Sequence, residues 1–153
     1  MDVQQTLLYG LNATMTRLQR SIGDLTDEEA RRVPLEGLAP IVWQAGHVAF
    51  TDAYFARKVD GRSRVPDGYP ELFKSGSGGP ANYPPLAEVN EVAAASQRSL
   101  EALVRTADLA TPLESDRYSN VAELIMFICQ HRGYHIGKMN TLRALLKKPR
   151  LFG

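Results

Sequence analysis

Gln130-His131-Arg132-Gly133-Tyr134-His135 sits inside the longest periodic stretch of this 153-residue chain, and the reading of that stretch decides the fold. From Val121 to Lys148, Leu124, Ile128, Met139, Leu142 and Leu145 recur at three- and four-residue steps, with His131 and His135 on the same seam. That spacing predicts an amphipathic helix. Ser119 or Asn120 is placed to cap it, Glu123 falls in its first turn, and Pro149 stops it. Residues four apart on a helix share a face, their Cβ atoms about 5–6 Å apart. Two of the chain's three histidines therefore stand side by side on a line that faces the core.

The rest of the chain supplies partners for that helix. Leu7, Leu8, Leu11, Met15, Leu18 and Ile22 predict a helix over residues 3–22. Thr26 and Glu29 form a capping box for a short helical turn that Pro34 closes. A second long helix starts near Ala39-Pro40 and runs to about Val59, where Asp60-Gly61 ends it. Residues 60–84 are rich in glycine and proline and carry no sustained period. Tyr69, Leu72, Phe73 and Tyr83 give them apolar anchors, so we expect a packed, partly irregular connection with a helical turn near Glu71-Leu72-Phe73. Leu86, Val89, Ala93, Leu100, Leu103 and Val104 predict a third long helix over 85–106. Four long amphipathic helices without convincing strands predict an all-α four-helix bundle, one domain over residues 1–153, with a long connection between long helices two and three.

Composition narrows the function. Eighteen basic and 17 acidic residues leave a net charge of +1, which gives no electrostatic footprint for nucleic acid or an anionic membrane. The basic residues Arg143, Lys147, Lys148 and Arg150 read as a solvated helix end. No apolar run approaches the ~20 residues of a membrane span. The first residues carry no secretory-signal pattern, and the single cysteine, Cys129, suits a reducing compartment, so a cytoplasmic location is expected.

The third histidine, His47, lies on the second long helix in a polar line, Gln44, His47, Thr51 and Tyr54, that runs beside the apolar line Ile41, Ala45, Val48 and Phe55. Buried imidazoles need partners. Two arrangements satisfy them: core histidines bonded to neighbours, or a shared metal ion. Neutral imidazole suits zinc and nickel, and three protein ligands leave a position open for water or substrate. Cys129, two positions from His131, projects to nearly the opposite side of the helix and reads as a packed thiol rather than a fourth ligand.

Ile41-Val42-Trp43-Gln44-Ala45-Gly46-His47-Val48-Ala49, Pro70-Glu71-Leu72-Phe73, and Gln130-His131-Arg132-Gly133-Tyr134-His135-Ile136-Gly137-Lys138 followed by Leu142-Arg143 together resemble the DinB-like superfamily. The resemblance covers essentially the whole chain. It implies a four-helix bundle in which His47, His131 and His135 bind one divalent metal, zinc or nickel foremost, and it implies a homodimer. Characterised members include bacillithiol- and mycothiol-dependent S-transferases, a maleylpyruvate isomerase and metal-dependent hydrolases. The leading expectation is a metal-dependent thiol S-transferase acting on a small-molecule thiol and an electrophile. A metal-dependent hydrolase and a non-catalytic dimeric bundle with a stress-response or binding role are the alternatives. Gln44, Thr51 and Tyr134 are candidate contacts to the site. Tyr69 and Phe73 either wall a pocket or fill space between helices. Members often carry Glu directly after the first histidine of the pair; here that position is Arg132.

Overall fold

The computed structural model describes residues 1–62 and 64–152. Its helices are α1 (Val3–Ile22), α2 (Asp27–Arg31), α3 (Ile41–Asp60), α4 (Tyr69–Phe73), α5 (Leu86–Thr106) and α6 (Val121–Leu145). The architecture is the expected all-α one, with four long helices and no strand among the described residues. An isolated bridge between Pro112 and Asn120 closes the loop before α6. No described helix is long and apolar enough to cross a membrane. Helix α3 packs against α5 and α6, and α1 packs against the same two from the other side.

The caps explain where the helices begin. Asp2 and Gln5 form a capping box on α1, and Thr26 and Glu29 form the expected one on α2. Asn120 caps α6 through Glu123 N. Asp27 Oδ1 accepts from Leu86 N at 2.7 Å, which fixes α2 to the start of α5. Gly61 ends α3 in the left-handed region, where glycine carries no Cβ penalty. At the other terminus, α6 stops at Leu145, three residues earlier than its periodicity predicts. Lys147 turns the chain back with φ 61°, and Lys148 N closes onto Arg143 O at 2.9 Å.

The core has two apolar halves. One gathers Met15, Leu18, Ile41, Val48, Phe73, Val89, Ile136 and Met139. The other gathers Leu7, Leu11, Ala56, Leu100, Val104, Leu124, Ile125 and Ile128. Between them lies a buried polar layer of Asp52, Ser96, Gln97 and Arg132. Arg132 organises it. Its Nε donates to Asp52 Oδ2 at 2.8 Å on α3. Its Nη1 donates to Leu11 O at 3.0 Å on α1 and to Gln97 Oε1 at 2.7 Å on α5. One side chain of α6 thus ties the other three long helices at a single level.

Three sequence expectations need correction. Leu145 is 48 % exposed and leaves the predicted seam. Leu124, Ile128, Met139 and Leu142 are buried as predicted, and a second line through Ile125, Ile128, Ile136 and Met139 runs beside them with Arg132 in its middle. Tyr54, placed on the inward polar line of α3, is exposed. Arg143 is no solvated helix end: it is fully buried, with bonds to both carboxylate oxygens of Asp24 at 2.6 and 2.9 Å and to Ser21 O at 3.1 Å. The expected connection over 60–84, of which residue 63 lies outside the described residues, holds α4 and buries Tyr69, Phe73 and Tyr83 as predicted.

Candidate metal centre

The first half of α3 is buried on almost every side, because α2, α4, α5 and α6 surround it. That brings His47 off the surface. Helix α4 packs directly on α3, and Gly46 admits the approach. A Cβ built on Gly46 would stand 2.1 Å from Phe73 Cε1, well inside contact distance. The close approach places the Phe73 carbonyl 2.6 Å from His47 Nδ1. A carbonyl only accepts, so Nδ1 carries the proton and Nε2 presents a bare lone pair.

His135 is set in the same way. Its Nδ1 lies 2.6 Å from Gln44 Oε1, and the Gln44 amide nitrogen donates to Ala39 O at 3.4 Å, which turns the oxygen toward the ring. His131 Nδ1 faces Thr51 Oγ1 at 3.5 Å, the loosest of the three. Thr51 donates its own hydrogen to His47 O at 2.7 Å, leaving that oxygen free to accept. All three rings therefore point Nε2 inward.

The three imidazoles converge. Their candidate ligand atoms lie within 4.8 Å of one another, and the ring centroids are 4.6 to 5.1 Å apart. His47 Nε2 and His131 Nε2 are 3.2 Å apart. His47 Nε2 carries no proton, so it faces either an Nε2–H of His131 or, in the tautomer that Thr51 accepts from, a second lone pair that a shared cation would bridge. Two nitrogens bound at 2.0–2.1 Å to a tetrahedral ion stand about 3.3 Å apart, so the spacing fits one. The cluster can hold a metal ion. Burial drives His131 down to about 4 and His135 to about 3, with neighbouring histidines adding to both, and burial lowers His47 as well. All three rings are therefore neutral near pH 7, the form that ligates.

The surroundings are asymmetric. Trp43 stacks on His47 with centroids 4.7 Å apart and planes 13° from parallel, and donates through Nε1 to Ser77. A cavity of about 350 Å³ opens beside His47 and His131, walled by Phe50, Phe55 and Phe127 and reaching Thr51 and Ser75. A larger cavity of about 1010 Å³ lies on the other side of Trp43, between residues 36–39, the glycine-rich 76–80 segment and the outer face of α6. None of the three histidines lines the larger one, so the smaller one is the approach to the centre.

Of the candidate contacts, Gln44 and Thr51 touch the histidines as described. Tyr134 is exposed and meets His135 only edge to ring at 5.1 Å. Tyr69 and Phe73 line neither cavity and fill space, but the Phe73 carbonyl joins the centre through its backbone. Cys129 lies on the α1 side, where a Cβ on Gly10 would meet its Sγ at 3.2 Å, and burial pushes its thiol up.

The family model of the DinB superfamily matches residues 11–139, a span that includes all three histidines. The chain belongs to the DinB superfamily. Its fold is also that of a conserved protein from Enterococcus faecalis, whose crystal structure superposes with a TM-score of 0.72 at 13% identity over 96% of this chain and 98% of that one. No curated protein matches the chain. Within this DinB-superfamily chain, Arg132, the residue after the first histidine of the pair, points away from the centre into the polar layer. Its acidic partner is Asp52, across on α3.

Proposed function

We propose that His47, His131 and His135 hold one divalent metal ion, zinc or nickel, and that the chain is a metal-dependent enzyme of the low-molecular-weight-thiol S-transferase type. The observation that carries the metal is the inward convergence of three Nε2 atoms whose opposite nitrogens are held by Phe73 O, Gln44 and Thr51. Three protein ligands are the number that catalytic sites use, because a position stays open. A bound divalent cation would act as a Lewis acid there, favouring the ionised form of a thiol or water at neutral pH.

The chain's own residues do the rest. The carbonyl of Phe73 and the amide of Gln44 hold ring orientation and tautomer, which limits the reorganisation that binding requires. Phe50, Phe55 and Phe127 line the approach with apolar surface that excludes water from a bound substrate. Among the described residues, no acid or base other than the histidines lines this cavity except cations and phenols, which favours a reaction whose nucleophile ionises on binding over one needing a carboxylate base.

The test is elemental analysis of untagged protein, followed by a screen of bacillithiol, mycothiol and glutathione against a common electrophile. The proposal expects about one zinc or nickel per chain, lost in His131→Ala, and one thiol consumed faster by the loaded protein than by His131→Ala. Absence of any divalent ion removes the metal reading. A loaded protein that turns over none of the three thiols removes the transferase reading and leaves the metal.

A further inference from the structure

The cavity beside His47 and His131 has a feature that the metal reading does not use. Lys58 and Arg117 both line it, and among the described residues no acidic side chain does. Lys58 lies on α3 three turns beyond His47. Its Nζ donates to Tyr118 Oη at 3.0 Å and lies 5.5 Å from the centre of the Tyr54 ring and 5.6 Å from that of Tyr118. These contacts hold the ammonium in place and leave it further hydrogens to donate. Arg117 comes from the loop before α6, its guanidinium 5.6 Å above the Phe127 ring. Among the described residues, no carboxylate lies within ion-pair distance of either cation, although Arg31, Arg64, Arg132, Arg143 and Lys148 each have one.

Two cations without a carboxylate partner, both lining one aromatic cavity, make a definite chemical statement. We infer that this cavity binds a small anion with an apolar or aromatic body, its anionic group held by Lys58 and Arg117 and its body lying against Phe50, Phe55 and Phe127. The volume of about 350 Å³ suits a molecule of roughly ten to fifteen non-hydrogen atoms. Charge-assisted bonds to a carboxylate are about twice as strong as neutral ones, so the charge selects and the aromatic walls add area. That this anion is the substrate of the centre rests on the metal-enzyme reading above; that the cavity binds it does not.

The probes are phenylacetate, phenylacetamide and phenethylamine, which share one body and differ in charge. Isothermal titration on the metal-replete protein is expected to give phenylacetate an affinity at least about tenfold above the other two. Lys58→Met lowers that affinity about tenfold, Lys58→Arg keeps most of it, and Lys58→Met with Arg117→Gln removes the preference for the anion. Both positions are exposed, so circular dichroism should find the helices intact. Equal affinity for the three probes, or Lys58→Met binding phenylacetate like the parent, overturns the inference. So does a preference that vanishes when a chelator strips the protein, because the carboxylate would then be held by metal alone. The same preparations analysed for metal keep the two ideas apart. Lys58-dependent phenylacetate binding in a protein that takes up no metal sinks the metal reading and keeps the anion site. A metal-loaded protein with no anion preference does the reverse.

Discussion

Arg132 Nε donates to Asp52 Oδ2 at 2.8 Å, and neither side chain of the pair exposes any surface. Burial pushes the Asp52 carboxyl up while Arg132 opposes the shift. Asp52 Oδ1 accepts no hydrogen bond among the described residues, so the whole attraction rests on the other oxygen. Removing one member of such a pair strands the other charge. Arg132→Met should therefore cost about 3–5 kcal/mol in urea unfolding. Adding Asp52→Leu should restore part of that loss, because no charge is then left unpaired. A double variant as unstable as the sum of the single ones would show that the pair carries no coupling.

Gly46→Ala tests how α4 is seated. The new methyl would overlap the Phe73 ring, so either the ring or α4 must move. A stability loss of about 1–3 kcal/mol is expected. The Phe73 carbonyl would shift from His47 Nδ1 with it, so zinc affinity in a competition titration with a chelating dye should fall too. Unchanged affinity in a destabilised variant would separate the notch from the histidines.

Gln44→Leu removes the acceptor of His135 Nδ1 while keeping the volume close. Loss of a partner that orients a ligand typically lowers metal affinity about 10–100-fold. The same competition titration reads it, and Thr51→Val should have the smaller effect because its contact to His131 is the longer one.

The histidines also predict how metal-stripped protein responds to acid. Their ordinary value is 6.5, and the folded chain holds His131 near 4 and His135 near 3. Below pH 6.5 the unfolded chain takes up protons that the folded chain refuses. Stability should thus be full above pH 6.5 and fall as pH drops toward 4, by up to about 1.4 kcal/mol per pH unit for each histidine. Urea midpoints at pH 7.5, 6.5 and 5.0 measure the slope. Replacing His131 and His135 by Asn should flatten it, and an equal slope in that variant would assign the acid sensitivity elsewhere.

The long helices were legible from their periods, and the starts of α2 and α6 also from their caps, Thr26 with Glu29 and Asn120 with Glu123. The histidine cluster was legible as a pattern, since His131 and His135 share a face and His47 lies on a polar line with Gln44. Arg132 hides among charged surface residues by type, yet Ile128 and Ile136 flank it at four-residue steps on an apolar line, and that spacing is the sequence signal of its burial. The role of Phe73 had no such signal. Its contribution is a backbone carbonyl, which any residue has, and its position depends on a missing Cβ at Gly46 far away in the chain. Pairing of Arg143 with Asp24 joins residues of opposite ends of the sequence, which no local period encodes.

The connection between α3 and α5 has a further consequence. It supplies the Phe73 carbonyl to one imidazole, Ser75 to the small cavity, and Gly76 with Gly78–Pro80 to the large one. The imidazoles themselves stand on long helices tied through Arg132. The small cavity beside them is walled mostly by the same two helices, α3 and α6, whereas the large cavity draws on the connection. Substitutions from residue 76 to 80 can therefore remodel the large cavity without touching a histidine, whereas Ser75 is the one position of this segment that borders the small cavity among the described residues.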